Sequence, residues 1–145
     1  MNPNAQAVLA DFASRLAGQI MPQLATPYLM SSAGLMAAVM GMAVEQFDGA
    51  AANLVEENRA IRGLFDEAAK LGTPADLAAR LERLSRDDDD LRLSALEAAN
   101  HGLRAALIEL HAWTEGEPGA EALNGAIWAE LSKSTERRRL SSAPF

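Results

Sequence analysis

Apolar residues recur every three or four positions along most of this chain, and the stripes they draw are helical. Leu9, Phe12, Leu16 and Ile20 mark a first helix, with Asn2 and Pro3 as cap and first-turn pair and Pro22 as its expected end or kink. Ala25, Thr26 and Pro27 connect it to a second, much longer stripe that starts near Tyr28 and stops at Gly72. Thr73 and Pro74 restart the chain, and Leu77, Leu81 and Leu84 give a short third helix. A fourth helix is expected from about Leu91 to Glu115, preceded by Asp87, Asp88, Asp89 and Asp90, whose carboxylates would complement the free amides of its first turn. The turn at Gly116, Glu117, Pro118 and Gly119 ends it, and Leu123, Ile127 and Leu131 define a fifth. Trp113 and Trp128 flank that turn and are expected to lock the fifth helix on the fourth. The pattern therefore predicts an all-α fold, a helical bundle with two long heptad-patterned helices and three shorter helices. One domain over residues 1–133 and a flexible tail over 134–145 complete the expected organisation.

The two long helices share a register. Leu93, Leu96, Asn100, Leu103, Leu107 and Leu110 fill successive a and d positions, and a shift of six heptads lands on Ala51, Leu54, Asn58, Ile61, Phe65 and Ala68. Upstream, Met30, Ala33, Ala37, Met40, Val44 and Phe47 continue the same stripe. A helix over 28–71 would be roughly 65 Å long, with Asp48 and Gly49 as the place for a bend and the unbroken stripe favouring continuity. The segment Leu54-x3-Asn58-x2-Ile61-Arg62 matches Leu96-x3-Asn100-x2-Leu103-Arg104, a likeness that coincidence explains better than duplication. An unpartnered amide on an apolar seam costs about 1 to 3 kcal/mol, so Asn58 and Asn100 are expected to pair and fix register. The expected interface and register set is Met40, Val44, Leu54, Asn58, Ile61, Phe65, Leu96, Asn100 and Leu103, and the pattern leaves open whether the seams meet within one chain or between two.

Composition supports the helical reading. There are thirty Ala and twenty Leu against four each of Val, Ile and Thr. The absence of Cys excludes disulfides, thiolate metal sites and a cysteine nucleophile, and a net charge of −7 argues against a nucleic-acid partner. Residues 16–44 carry no charge. Pro22, Pro27, Gln19, Gln23 and a content dominated by Ala, Gly, Ser and Met read as a soluble segment and not as a membrane span, and Asp11 and Arg15 interrupt any secretory leader. A cytoplasmic protein is the expectation. So long an uncharged run is expected to be buried on most sides, more easily if a second subunit covers it.

Candidate chemistry is sparse. Met30, Met36, Met40 and Phe47 could line a flexible apolar or acyl-ligand pocket, although methionines filling gaps beside Gly34, Ala37, Ala38 and Gly41 explain the same residues as packing. Glu97, His101, Glu109 and His111 are the only material for a carboxylate and histidine metal site; the di-iron spacing is absent and both imidazoles read as surface groups. No serine elbow, phosphate loop or cofactor motif occurs. Arg137, Arg138 and Arg139 form a basic cluster in the expected tail. The sequence thus favours a non-catalytic interaction or accessory protein without cofactor, a homodimer or larger homo-oligomer, with an unidentified protein partner also compatible. A ligand-binding module is the second reading and a metalloprotein the third.

Overall fold

In the computed structural model, which describes residues 4–141, the chain forms α1 (Ala5–Arg15), α2 (Pro27–Ala69), α3 (Ala75–Leu84), α4 (Leu93–Gly116) and α5 (Glu121–Arg137). The expected cap pair Asn2 and Pro3 lies outside the described residues. Asn4 caps α1 instead, its side chain accepting from the Gln6 amide at 3.0 Å. After Arg15 the coil loosens into a π-helical turn, Leu16–Ile20, then tightens into a 3-10 turn, Met21–Gln23, and becomes extended at Leu24. Pro22 supplies no amide hydrogen to continue the first helix, and Pro27 opens α2, where that missing hydrogen costs nothing.

Two compact units divide the chain. The first comprises residues 1–50 with 139–145 and the second comprises Ala51–Arg138. Helix α2 belongs to both and runs its 43 residues without interruption, so Gly49 does not break it.

The core of the second unit is assembled from Ile61, Leu64, Phe65 and Ala68 of α2, Leu81 of α3, Leu103, Ala106, Leu107 and Leu110 of α4, and Leu123 and Ile127 of α5. These positions repeat every three or four residues on each helix, which is why every helix turns one side inward. Gly72 takes φ 72° and ends α2, while Gly119 takes φ 93° between α4 and α5. Both tight reversals use a backbone conformation that a side chain resists. The register stripe is not buried to its ends, since Ala51 and Leu93 are exposed and Leu54 is half-buried.

One boundary, one set of roles and one orientation differ from the sequence-based expectation. Helix α5 continues through Arg137, past residue 133, because Ser134 is buried and Arg137 and Arg138 are held by carboxylates of the same unit. The four aspartates do not share one role at the start of α4: Asp88 turns inward, and Asp90 pairs with Arg92. Trp113 packs on the core as expected, but Trp128 is 56% exposed and meets His111 edge-on, ring centroids 5.1 Å apart. Replacing Gly72 with Ala should cost about 1 kcal/mol, since Ala resists the left-handed region; thermal melting against the wild type measures the loss.

Candidate functional site

The second unit contains a chain of buried polar groups running through its helices. Glu57 and Asn58 on α2 are 4% and 0% exposed, and Asn100 on α4 is 3% exposed. Asn100 Nδ2 donates to Asn58 Oδ1 at 2.9 Å, joining residues separated by the 42 positions that relate the two sequence stripes. Asn58 Nδ2 in turn donates to Asp88 Oδ2 at 3.1 Å and to the Leu96 carbonyl at 3.4 Å. Neither asparagine has a fully buried side-chain atom left without a hydrogen bond.

On one side of this pair Arg62 grips Asp88 with both terminal nitrogens, at 2.7 and 3.1 Å, while its Nε donates to the Leu84 carbonyl at 3.2 Å. The two-pronged bond ties α2 to the segment between α3 and α4. On the other side Glu57 receives Arg104 Nη1 at 2.7 Å, Ser134 Oγ at 3.1 Å and Arg138 Nη2 at 2.7 Å. Glu130 pairs with Arg137, whose backbone carbonyl accepts from Asn53 Nδ2 at 3.0 Å. The Arg pair of the repeated sequence segment thus has a physical role: Arg62 holds Asp88 and Arg104 holds Glu57, in two polar clusters that meet at the adjacent Glu57 and Asn58.

The carboxylates respond differently to this setting. The Arg62 hydrogen bonds hold Asp88 below the ordinary aspartate range, outweighing burial, with Asn58 adding to the effect. Burial pushes Glu57 upward, but Arg138, Arg104 and Ser134 together bring it below its usual value. Burial raises Glu130, and the nearby Arg137 charge only partly offsets this. Groups so fully bonded are poor acids and bases for chemistry, and good staples.

Beside Arg62 a cavity of about 340 Å³ opens between residues 83–90 and Ala95, Ala99 and Leu103 of α4. Arg62, Arg83 and Arg86 face it together with all four aspartates, so its lining sets three positive side chains against four negative ones. Among the described residues no group of three or more His, Asp or Glu could hold a metal. Glu97 and His101 are exposed on α4, and His111, expected at the surface, is half-buried with Nε2 unbonded beside Trp128.

The first unit presents the opposite situation. Phe12, Ile20, Tyr28, Leu29, Met30, Leu35, Met36, Val39 and Phe47 are all more than a third exposed, with Tyr28 at 81% and Phe47 at 62%. Tyr28, Leu35, Met36, Val39, Ala43 and Phe47 lie within about 120° of one another around α2. The other side, with Ala33 buried and Gly34, Ala37, Gly41 and Val44 half-buried, is covered within the unit, and a Cβ at Gly34 would stand 3.4 Å from the Met21 sulfur. Segment 16–44, expected to be buried on most sides, is covered on one side only. Of the candidate ligand residues, Met30, Met36 and Phe47 stand open to solvent and Met40 is half-buried, an arrangement without the enclosure a small ligand needs. By length and composition alone, α2 could also cross a membrane.

None of the known protein families, curated proteins or solved structures matches this chain.

Two outcomes follow for the buried network. Asn100→Leu strands the Asn58 carbonyl oxygen and should cost roughly 1 to 3 kcal/mol; Asn58→Leu with Asn100→Leu should cost less than the sum, as a double-mutant cycle in urea will show. Because Asp88 is depressed in the folded state, its pairing stabilises fully above the unfolded carboxylate pKa of about 3.9 and is lost as pH falls through the folded value. Asp88→Asn should therefore lower stability at pH 7 by on the order of 3 kcal/mol and differ progressively less from wild type below pH 4, measured by urea unfolding across pH.

Proposed function

We propose that this is a non-catalytic helical accessory protein that self-associates through the first unit, the second unit serving as its internally bonded folding scaffold. The observation that carries the reading is the uncovered side of α2, where large apolar residues cluster on a segment free of charge. Contiguous apolar surface of this kind marks an association site. The second unit supports the scaffold role, because its carboxylates Glu57 and Asp88 are tied to arginines.

A second protein surface fits this side better than a bilayer. No Lys or Arg occurs between Arg15 and Arg59, so the apolar segment lacks the basic flank that anchors a helix at anionic headgroups, and Glu45 and Asp48 follow it instead. Its Ala, Gly, Ser and Met content suits close helix packing. A cytoplasmic location accompanies the reading.

Light scattering should give a dimer or larger assembly at micromolar concentration. Val39→Asp should reduce it to a monomer with unchanged helical circular dichroism, because a carboxylate in the seam loses hydration without gaining a partner. Met40 is half-buried inside the unit, which makes Val39 the cleaner position. A monomeric wild type, or flotation of the wild type with phosphatidylcholine and phosphatidylglycerol vesicles, overturns the reading.

A further inference from the structure

All the sulfur in this chain is methionine, and all of it lies at one end. There are six Met and no Cys, and every Met precedes residue 43, inside the first unit. Resting on the self-association reading, we infer that Met36 is an oxidation site that regulates association: a peroxide converts its thioether to the sulfoxide in separated chains, and the oxidised side of α2 no longer pairs.

The methionines differ in what surrounds them. Met21 is half-buried, its sulfur lying close to Gly34, and Met40 and Met42 are half-buried as well. Met30 is 38% exposed and stands about 120° around the helix from Met36, towards the covered side. Met36, at 56%, is the most exposed of the described methionines. Leu29, Val39, Ala43 and Phe47 lie within about 60° of it around α2, which puts its sulfur amid the uncovered apolar side.

Oxidation there needs no catalytic group, only access. The thioether lone pair attacks the O–O bond of hydrogen peroxide, an S–O bond forms as the O–O bond breaks, and the second oxygen leaves as water with both protons; sulfur loses two electrons and the peroxide gains two. The product is polar and accepts hydrogen bonds. Leu29, Val39, Ala43 and Phe47 have no side-chain donor to offer it, no charged residue lies between Arg15 and Glu45, and Ser32 is the one hydroxyl within a turn on that side. Two paired copies would bury two such oxygens, which weakens association roughly 30-fold or more.

Pairing itself shields the sulfur. Chains are therefore oxidised while apart, and the sulfoxide then keeps them apart. The second unit contains no methionine, so the modification leaves its core and its buried polar bonds untouched.

The test treats the full chain with hydrogen peroxide, follows assembly by light scattering, and locates the added oxygen by fragmentation of the tryptic peptide 16–59. Wild type should dissociate as Met36 oxidises, with unchanged helical circular dichroism, and Met36 should oxidise faster in dilute than in concentrated protein. Met36→Leu, which keeps the apolar volume and every other methionine, should stay assembled in peroxide, and Met36→Gln should be dissociated without it. Methionine sulfoxide reductases with a dithiol should restore assembly of the oxidised wild type. Assembly that persists once Met36 is oxidised, Met36→Leu that dissociates in peroxide like wild type, loss of helix on oxidation, or failure of the reductases to restore assembly overturns the switch while leaving self-association standing. Untreated wild type that is already monomeric removes the association reading itself.

Discussion

A carboxylate taken out of water must be surrounded by donors, and Glu57 imposes that condition on the second unit. Its donors come from α4 and from α5 and its C-cap, Arg104, Ser134 and Arg138, so the charge is balanced only when these helices sit in one arrangement. The adjacent Asn58 sets a second condition with finer tolerance. Its oxygen needs Asn100 and its nitrogen needs Asp88 and the Leu96 carbonyl. Apolar packing alone would tolerate a helix slipped by one turn, since Leu and Ile stripes interdigitate in several registers. The amide and carboxylate bonds do not. The leucines of this core provide the drive to collapse, and a few polar atoms select the register.

Much of this was legible in the sequence, for identifiable reasons. The five helices follow from Gly, Pro and apolar spacing, and Asn58 with Asn100 stood out because an amide on a leucine stripe is anomalous. Asp88 was not legible. Four identical aspartates in a row contain no periodicity, so nothing in the chain says which one faces Arg62. Glu57 was hidden for a related reason: acidic residues on helices are ordinarily solvated, and its counterions lie 47 and 81 residues away. Arg137 and Arg138 looked like part of a tail because arginines beside serines at a chain end usually are; carboxylates remote in sequence convert them into helix.

The first unit went unread in the opposite sense. The uncharged run 16–44 marked an apolar segment, but a pattern of hydrophobicity does not say which side of a helix its own chain covers. α2 consequently solves one problem twice along its length. Beyond residue 50 its apolar residues meet leucines of its own chain beside interior polar bonds, and before residue 50 one side is covered, with Met21 beside Gly34, while the other stays in water. The helix does not change character at Gly49; what surrounds it changes.

The contact between Glu57 and Arg138 spans 81 residues, which orders events during synthesis as well as in the finished fold. Chains emerge from the ribosome amino end first, at about 5 to 20 residues per second, so α2 is complete in solution several seconds before Arg138 exists at all. Through that interval Glu57 has no guanidinium from the C-terminal end, and the apolar side of residues 28–47 is already exposed. A translating polysome therefore brings many such sides close together while the scaffold behind each is unfinished. Ser134 and Arg138, made well after α2, are the residues that complete the bonding of Glu57 and lock the second unit.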